Sequence, residues 1–122
     1  MQDFKKLQAW QKAHLLVLRT YAISAYFPEG ERFGLTAQMR RAAVSVPANI
    51  AEGCCRGGKR SFAQFLRIAL GPAGELEYYA ILAGDLKFLS ESAGATFAED
   101  TTEVKRLLSG LLGAVVRSSV EN

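Results

Sequence analysis

The stretch LTAQMRRAAVSVPANIAEGCCRGGKR, Leu35 to Arg60, decides how this chain is read. Leu35, Met39, Ala42, Val46, Ile50 and Gly53 recur at three- and four-residue spacing, the period of a helix with one inward face. The spacing predicts a helix over Leu35 to Gly53, with Gly53 as its C-cap. Pro47 lies inside it and has no N–H to donate, so a kink is expected there. CCRGGKR then reads as a short basic connection. Positive charge gathers in the same part of the chain. From Arg40 to Arg67 six basic residues (Arg40, Arg41, Arg56, Lys59, Arg60, Arg67) face one acid, Glu52, a balance of +5. The nine basic and eleven acidic residues elsewhere leave −2. Such asymmetry marks a region suited to a polyanion.

Outward from this stretch the helical period continues. Phe4, Leu7, Trp10, His14, Val17, Tyr21 and Ala25 predict a first helix from about Asp3 to Tyr26 with those residues inward. FPEGERFG, with Pro28, Gly30 and Gly34, is the loop that ends it. After the central stretch, Ser61 with Gln64 reads as a capping box opening a third helix that reaches Leu89, about 43 Å at 1.5 Å per residue. Its stripe is Phe62, Phe65, Leu66, Ala69, Ala73, Leu76, Ala80, Ala83 and Leu86. The stripe keeps phase across GPAG, Gly71 to Gly74, so that segment reads as a bend in one continuous helix. SESAGATFAED reads as a third loop. Asp100 with Glu103 reads as the capping box of a fourth helix to about Ser119, with Val104, Leu107, Leu108, Leu111 and Val115 inward. Long amphipathic helices joined by short loops predict an all-α fold, an antiparallel up-down-up-down four-helix bundle.

With 122 residues the chain is sized for a single domain, residues 1–122. An apolar content of 49% with 22% charged residues is that of a globular chain. No apolar run approaches the roughly 18 residues of a membrane span, and MQDFKKLQAW has no apolar core of a secretory signal, so a cytoplasmic protein is expected. The apolar faces are wider than one bundle core requires. Leu15, Leu16, Leu18 and Ile23 widen the first helix, Ile68, Leu70, Tyr78, Ile81, Leu82 and Phe88 the third, and Leu112 and Val116 the fourth. Such a surplus predicts self-association.

Several segments together resemble a known family. Phe4, Leu7 and Trp10, then FPEGERFGL at Phe27 to Leu35, Gln38, Arg40, Arg41, Ala42, Ala43, Ser45, and NIAEG at Asn49 to Gly53 look like the bacterial four-helix-bundle family encoded by intervening sequences in large-subunit ribosomal RNA genes. Ala69, Gly71 and Glu75 match the pattern A-x-G-S-x-x-E of its third helix, with Pro72 standing where the family usually has Ser. The resemblance implies a homopentameric ring of bundles with a central channel. It also points to a related accessory protein of diversity-generating retroelements, which works with a reverse transcriptase and nucleic acid through basic surface. It implies no established activity.

Gly53 to Arg60, GCCRGGKR, satisfies G-x-x-x-x-G-K of a phosphate-binding loop, then fails, because Arg60 stands where Ser or Thr would reach magnesium. A helix precedes it where a P-loop follows a strand, so a plain connection is expected. Cys54 and Cys55 are adjacent, with no CxxC spacing and no His cluster, so neither a disulfide nor a metal site is expected. His14, the only histidine, reads as a core or interface residue on the inward stripe. Asn49, Glu52 and Glu75 are polar residues among apolar neighbours. They read as a buried structural network with Arg40 or Arg41 rather than as a carboxylate pair for acid–base work. No cofactor and no catalytic residue are expected. Arg40, Arg41, Arg56, Lys59, Arg60 and Arg67 form the candidate nucleic-acid-binding set, contacting phosphates of RNA or DNA without base stacking, because Phe62 and Phe65 are assigned to the core. The expected function is that of a non-enzymatic, oligomeric nucleic-acid-binding or accessory protein. The competing reading is a scaffold that holds a protein partner in its grooves or channel.

Overall fold

A two-residue link and a glycine contact hold the second and third helices together at one end of the pair. In the computed structural model, which describes residues 2–121, the α-helices are α1 (Gln8–Ser24), α2 (Leu35–Arg56), α3 (Lys59–Asp85) and α4 (Glu91–Glu121). Short 3₁₀ turns at Phe4–Lys6 and Glu29–Glu31 precede α1 and α2, and no strand occurs among the described residues. Gly57 and Gly58, the whole link between α2 and α3, have φ of 74° and 81°. Residues with a side chain rarely adopt that region, so two consecutive glycines allow so short a connection.

The expected boundaries shift for local reasons. Gly53 does not cap α2; the helix continues through Cys54 and Cys55 to Arg56. Ser61 does not open α3, which starts at Lys59 behind Gly58, without a side-chain cap. Both helices run through their prolines, Pro47 in α2 and Pro72 in α3, so α3 is continuous across GPAG as the phase of its stripe required. The largest shift is in α4. Its cap is Ser90 rather than Asp100: the Ser90 hydroxyl accepts the Ala93 N–H at 3.1 Å, ten residues before the expected cap, and the helix begins at Glu91. α1 is shorter than expected, since Leu7 is extended and separates it from the preceding 3₁₀ turn.

Each helix packs on two others: α1 on α2, α2 on α3, α3 on α4 and α4 on α1. Among the described residues α1 and α3 do not approach, nor do α2 and α4, so the four surround one core. Met39, Val46 and Ile50 of α2, Leu66, Ala69, Ala73 and Leu76 of α3, and Val104 and Leu108 of α4 fill it, essentially without solvent contact.

α1 inserts a different face from the one expected. Ala9, Ala13, Leu16, Thr20 and Ser24 are buried, whereas Trp10 and Val17 are half-buried and Tyr21 and His14 are exposed. Small residues let α1 lie close to its neighbours, and the two buried hydroxyls are satisfied within the helix. Thr20 Oγ1 donates to the Leu16 carbonyl at 2.7 Å, and Ser24 Oγ to the Thr20 carbonyl at 2.6 Å.

The α2–α3 seam is tightest at Gly53. A Cβ there would lie 2.9 Å from Phe65 Cβ and 3.0 Å from Phe62 Cδ1. Gly53→Ala should therefore lower unfolding free energy by about 1–2 kcal/mol in urea titration, overpacking outweighing the better helix propensity of Ala. Gly110→Ala, at a helical glycine with open space around it, should instead gain about 0.5–1 kcal/mol. Equal responses at the two sites would contradict the close approach.

Candidate functional site

The charges sort themselves by helix. Two carboxylates of α4, Asp100 and Glu103, are engaged by α1, whereas Glu91 and Glu99 are exposed and in no ion pair among the described residues. Asp100 pairs with Arg19 of α1, Glu103 with Lys12 of α1 at 3.6 Å, and Lys105 of α4 with Glu77 of α3 at 3.4 Å. These half-exposed pairs add little stability each. They tie α4 to α1 and α3 through charge and leave Arg41 of α2 and Lys59, Arg60 and Arg67 of α3 outside any ion pair among the described residues.

Of the six basic residues singled out from sequence, Arg41, Lys59, Arg60 and Arg67 are exposed and form no ion pair among the described residues. Lys59 and Arg60 stand on the first turn of α3, directly after the glycine link. Arg56, on the last turn of α2, is exposed but engaged. Its Nε lies 3.4 Å from Glu52, and its guanidinium sits 5.5 Å from the centroid of the Phe65 ring. Arg40 is the most constrained of the set. Its Nε donates to Ser24 Oγ at 2.8 Å, and its guanidinium lies 4.5 Å from the centroid of Tyr21. The structure thus brings Arg56, Lys59 and Arg60 to one end of the α2–α3 pair and leaves Arg40 and Arg41 on the other half of α2.

The expected buried network of Asn49, Glu52 and Glu75 with Arg40 or Arg41 does not form. Asn49 turns back on its own helix and donates to the Ser45 carbonyl at 2.8 Å. Glu52 is exposed and pairs only with Arg56. Glu75 is exposed, and its Oε2 accepts from the Tyr79 hydroxyl at 3.4 Å, while that hydroxyl reaches Gln38 of α2 at 2.9 Å. Alternation of small residues along α3 hid the fact that Glu75 lies just off the buried face. The two glutamates are also at different levels. Gly53, beside Glu52, meets Phe62 and Phe65, and Glu75 lies ten residues beyond Phe65, about 15 Å along the helix. No cluster of three or more His, Cys, Asp or Glu suited to a metal occurs among the described residues.

His14 is exposed and stacked on Trp10, with centroids 5.1 Å apart; of the two expected places, core or interface, the bundle core does not hold it. Cys54 is buried and Cys55 exposed. Burial pushes the Cys54 thiol up from its ordinary value, and the neighbouring Cys55 adds to the shift. Cys54 lines an open cleft of about 410 Å³ with Gly53, Lys59, Phe62, Leu111 and Val115, an apolar hollow beside the basic link.

A second hollow was not anticipated. Tyr21 of α1, Arg32 and Phe33 of the preceding loop, and Thr36, Arg40 and Arg41 of α2 surround a groove of about 510 Å³. Phe33 is 88% exposed and carries the Arg32 guanidinium 5.3 Å from its centroid. The adjacent Arg32 and Phe33 in FPEGERFG are the available signal, masked because the segment reads as a loop.

Residues 5–110 match the family model of the 23S rRNA-intervening sequence protein, and the chain belongs to that family. No curated protein matches it. A crystal structure of a protein of unknown function from the S23 ribosomal protein family of Bacteroides thetaiotaomicron is similar in fold, with a TM-score of 0.79 at 24% identity. The match covers 86% of this chain and 95% of that one.

The placements of Glu75 and the two cysteines make distinct predictions. Glu75→Ala should change unfolding free energy by no more than about 0.5 kcal/mol, the range of an exposed substitution; a loss near 3 kcal/mol would restore the buried network. Iodoacetamide at pH 8 should alkylate Cys55 in the folded protein and reach Cys54 only on unfolding, as peptide mass mapping would show. Equal rates at both thiols would contradict the burial of Cys54.

Proposed function

We propose that this chain is a non-enzymatic nucleic-acid-binding or accessory protein that works as a homo-oligomer in the cytoplasm through the basic surface of α2 and α3. The observation that carries this reading is the uncompensated charge. Arg41, Lys59, Arg60 and Arg67 stand in solvent without carboxylate partners among the described residues, while Asp100 and Glu103 of α4 pair with Arg19 and Lys12 of α1. Four exposed cations on one helix pair suit a phosphate backbone and ask nothing of base sequence. The family's description names 23S rRNA, which makes RNA the first polyanion to try.

The assembly we propose is an antiparallel up-down-up-down bundle repeated as a homopentameric ring. The two-residue link and the cyclic packing of the helices support the bundle. The ring draws support from where apolar side chains are left outside. α1 exposes Leu15 and Leu18, and α3 exposes Ile68, Tyr78 and Ile81. These helices do not touch each other in the cycle, so each subunit carries two unlike apolar patches on opposite corners. Unlike patches joined head to tail close into a ring when the rotation allows it. Five is the number suggested by the family resemblance. A ring also repeats the basic patch, so weak phosphate contacts gain by multivalency. A reverse transcriptase is a protein partner that would share such a nucleic acid.

A second reading, a scaffold for a protein partner, is favoured by the apolar cleft lined by Phe62, Leu111 and Val115. A salt titration separates the two. Log K for single-stranded RNA or duplex DNA should fall linearly with log salt, by about 0.9 per phosphate contact on the duplex. Replacing Arg56, Lys59 and Arg60 with Ala should flatten that slope by up to about three units per engaged subunit and weaken unrelated sequences alike. An unchanged slope, or no binding by wild type at low salt, contradicts the nucleic-acid reading and leaves the scaffold. Light scattering at micromolar concentration should give a mass several times 13.3 kDa, and a monomer would contradict the ring.

A further inference from the structure

The groove beside Tyr21 and Phe33 differs in kind from the basic link at the other end of α2. Three of the side chains around it are guanidiniums, Arg32, Arg40 and Arg41, and no carboxylate lines it. Arg32 lies 3.8 Å from Glu29, an exposed and loose pairing. Arg41 has no ion-pair partner among the described residues. The Arg40 head group is held in place by Ser24 Oγ at 2.8 Å and by the Tyr21 carbonyl at 3.4 Å. A guanidinium fixed in this way presents its remaining N–H groups without further ordering. The aromatic rings are outside, not in the core: Phe33 is 88% exposed and Tyr21 45%.

We propose that this groove is a subsite for single-stranded nucleic acid, with Phe33 and Tyr21 stacking on unpaired bases and Arg32, Arg40 and Arg41 taking the adjacent phosphates. The proposal rests on the nucleic-acid reading above and adds to it a mode of contact absent from the basic link, where Phe62 is buried. Exposed aromatic rings flanked by cations are what sequence-tolerant single-strand binding requires, since every base offers a face for stacking. Duplex DNA keeps its bases stacked inside, so the rings gain nothing from it. A symmetric contact between two copies of the groove would instead set three guanidiniums against three, with no acid to balance them. Arg41 and Arg56 lie fifteen residues apart on α2, about 22 Å, so one strand of several nucleotides reaches both patches. The groove then supplies preference for single strands, and the basic link supplies general affinity.

The test compares fluorescence anisotropy of labelled oligouridylate, oligodeoxythymidylate and duplex DNA, each about 20 units long, with wild type, Phe33→Ala, Phe33→Trp and the Arg56, Lys59, Arg60 triple alanine variant. Phe33 touches no core residue closely enough to be buried, so its loss should leave folding intact. Phe33→Ala should weaken both single strands about tenfold, leave the duplex within about twofold, and keep the light-scattering mass of wild type. Phe33→Trp should restore single-strand affinity, because stacking is retained. Equal losses on duplex and single strands, or no loss on either, would overturn the subsite. A fall in mass would overturn it too, and would mark the groove as a contact between subunits. If the triple variant loses duplex binding while Phe33→Ala binds as wild type, the subsite fails and the basic link stands. If wild type binds none of the three probes, both fail together.

Discussion

The molecule depends on how closely α2 and α3 approach one another. Gly53 lies against Phe62 and Phe65 with no room for a methyl group, and only two glycines separate the helices in sequence. A side chain at Gly53 would push the helices apart at the end where the link is shortest, and the positive φ of Gly57 and Gly58 leaves the link no slack. Along the same seam Met39, Val46 and Ile50 meet Leu66, Ala69, Ala73 and Leu76, essentially dry. With so much apolar contact inside the pair, its charged residues are all forced outward. The same geometry sets Arg56, Lys59 and Arg60 together on the last turn of one helix and the first turn of the next.

Charge follows packing in the rest of the chain. α4 lies between α3 and α1, pairing its Asp100 and Glu103 with α1 and its Lys105 with Glu77 of α3. On α2, Arg56 pairs with Glu52 of its own helix, Arg41 is left to solvent, and Arg40 takes hydroxyl and aromatic partners on α1.

The all-helical class and the inward stripes of α2 and α3 are legible in the sequence because the three- and four-residue period holds along both, although Leu86, expected inward at the end of the third helix, is exposed. The inward face of α1 is not, because it is small and partly hydroxylic: Ala9, Ala13, Thr20 and Ser24 weigh little against Trp10, Val17 and Tyr21 on the next face. Close packing prefers the small face, and the larger side chains remain outside as surplus. Asp100 and Glu103 imitate a capping box, yet they are mid-helix residues aimed at Arg19 and Lys12, a distinction that depends on tertiary neighbours. Of the candidate site, the exposure of Lys59 and Arg60 follows from the glycines before them. The fate of Glu75 does not, since one step around a helix of small residues separates burial from solvent. The Phe33 groove brings together residues from α1, a loop and α2, which no single periodic stretch reveals.

The central claim is that nucleic acid lies along α2, from the Phe33 groove to the basic link. Ultraviolet cross-linking of the intact protein to a uridine-rich single strand, with peptide mass mapping of the adducts, addresses it most directly. The account predicts nucleotide adducts on peptides spanning 32–41 and 56–67, with few on α4. Adducts concentrated on α4, or the same low yield everywhere as with a denatured control, would contradict it.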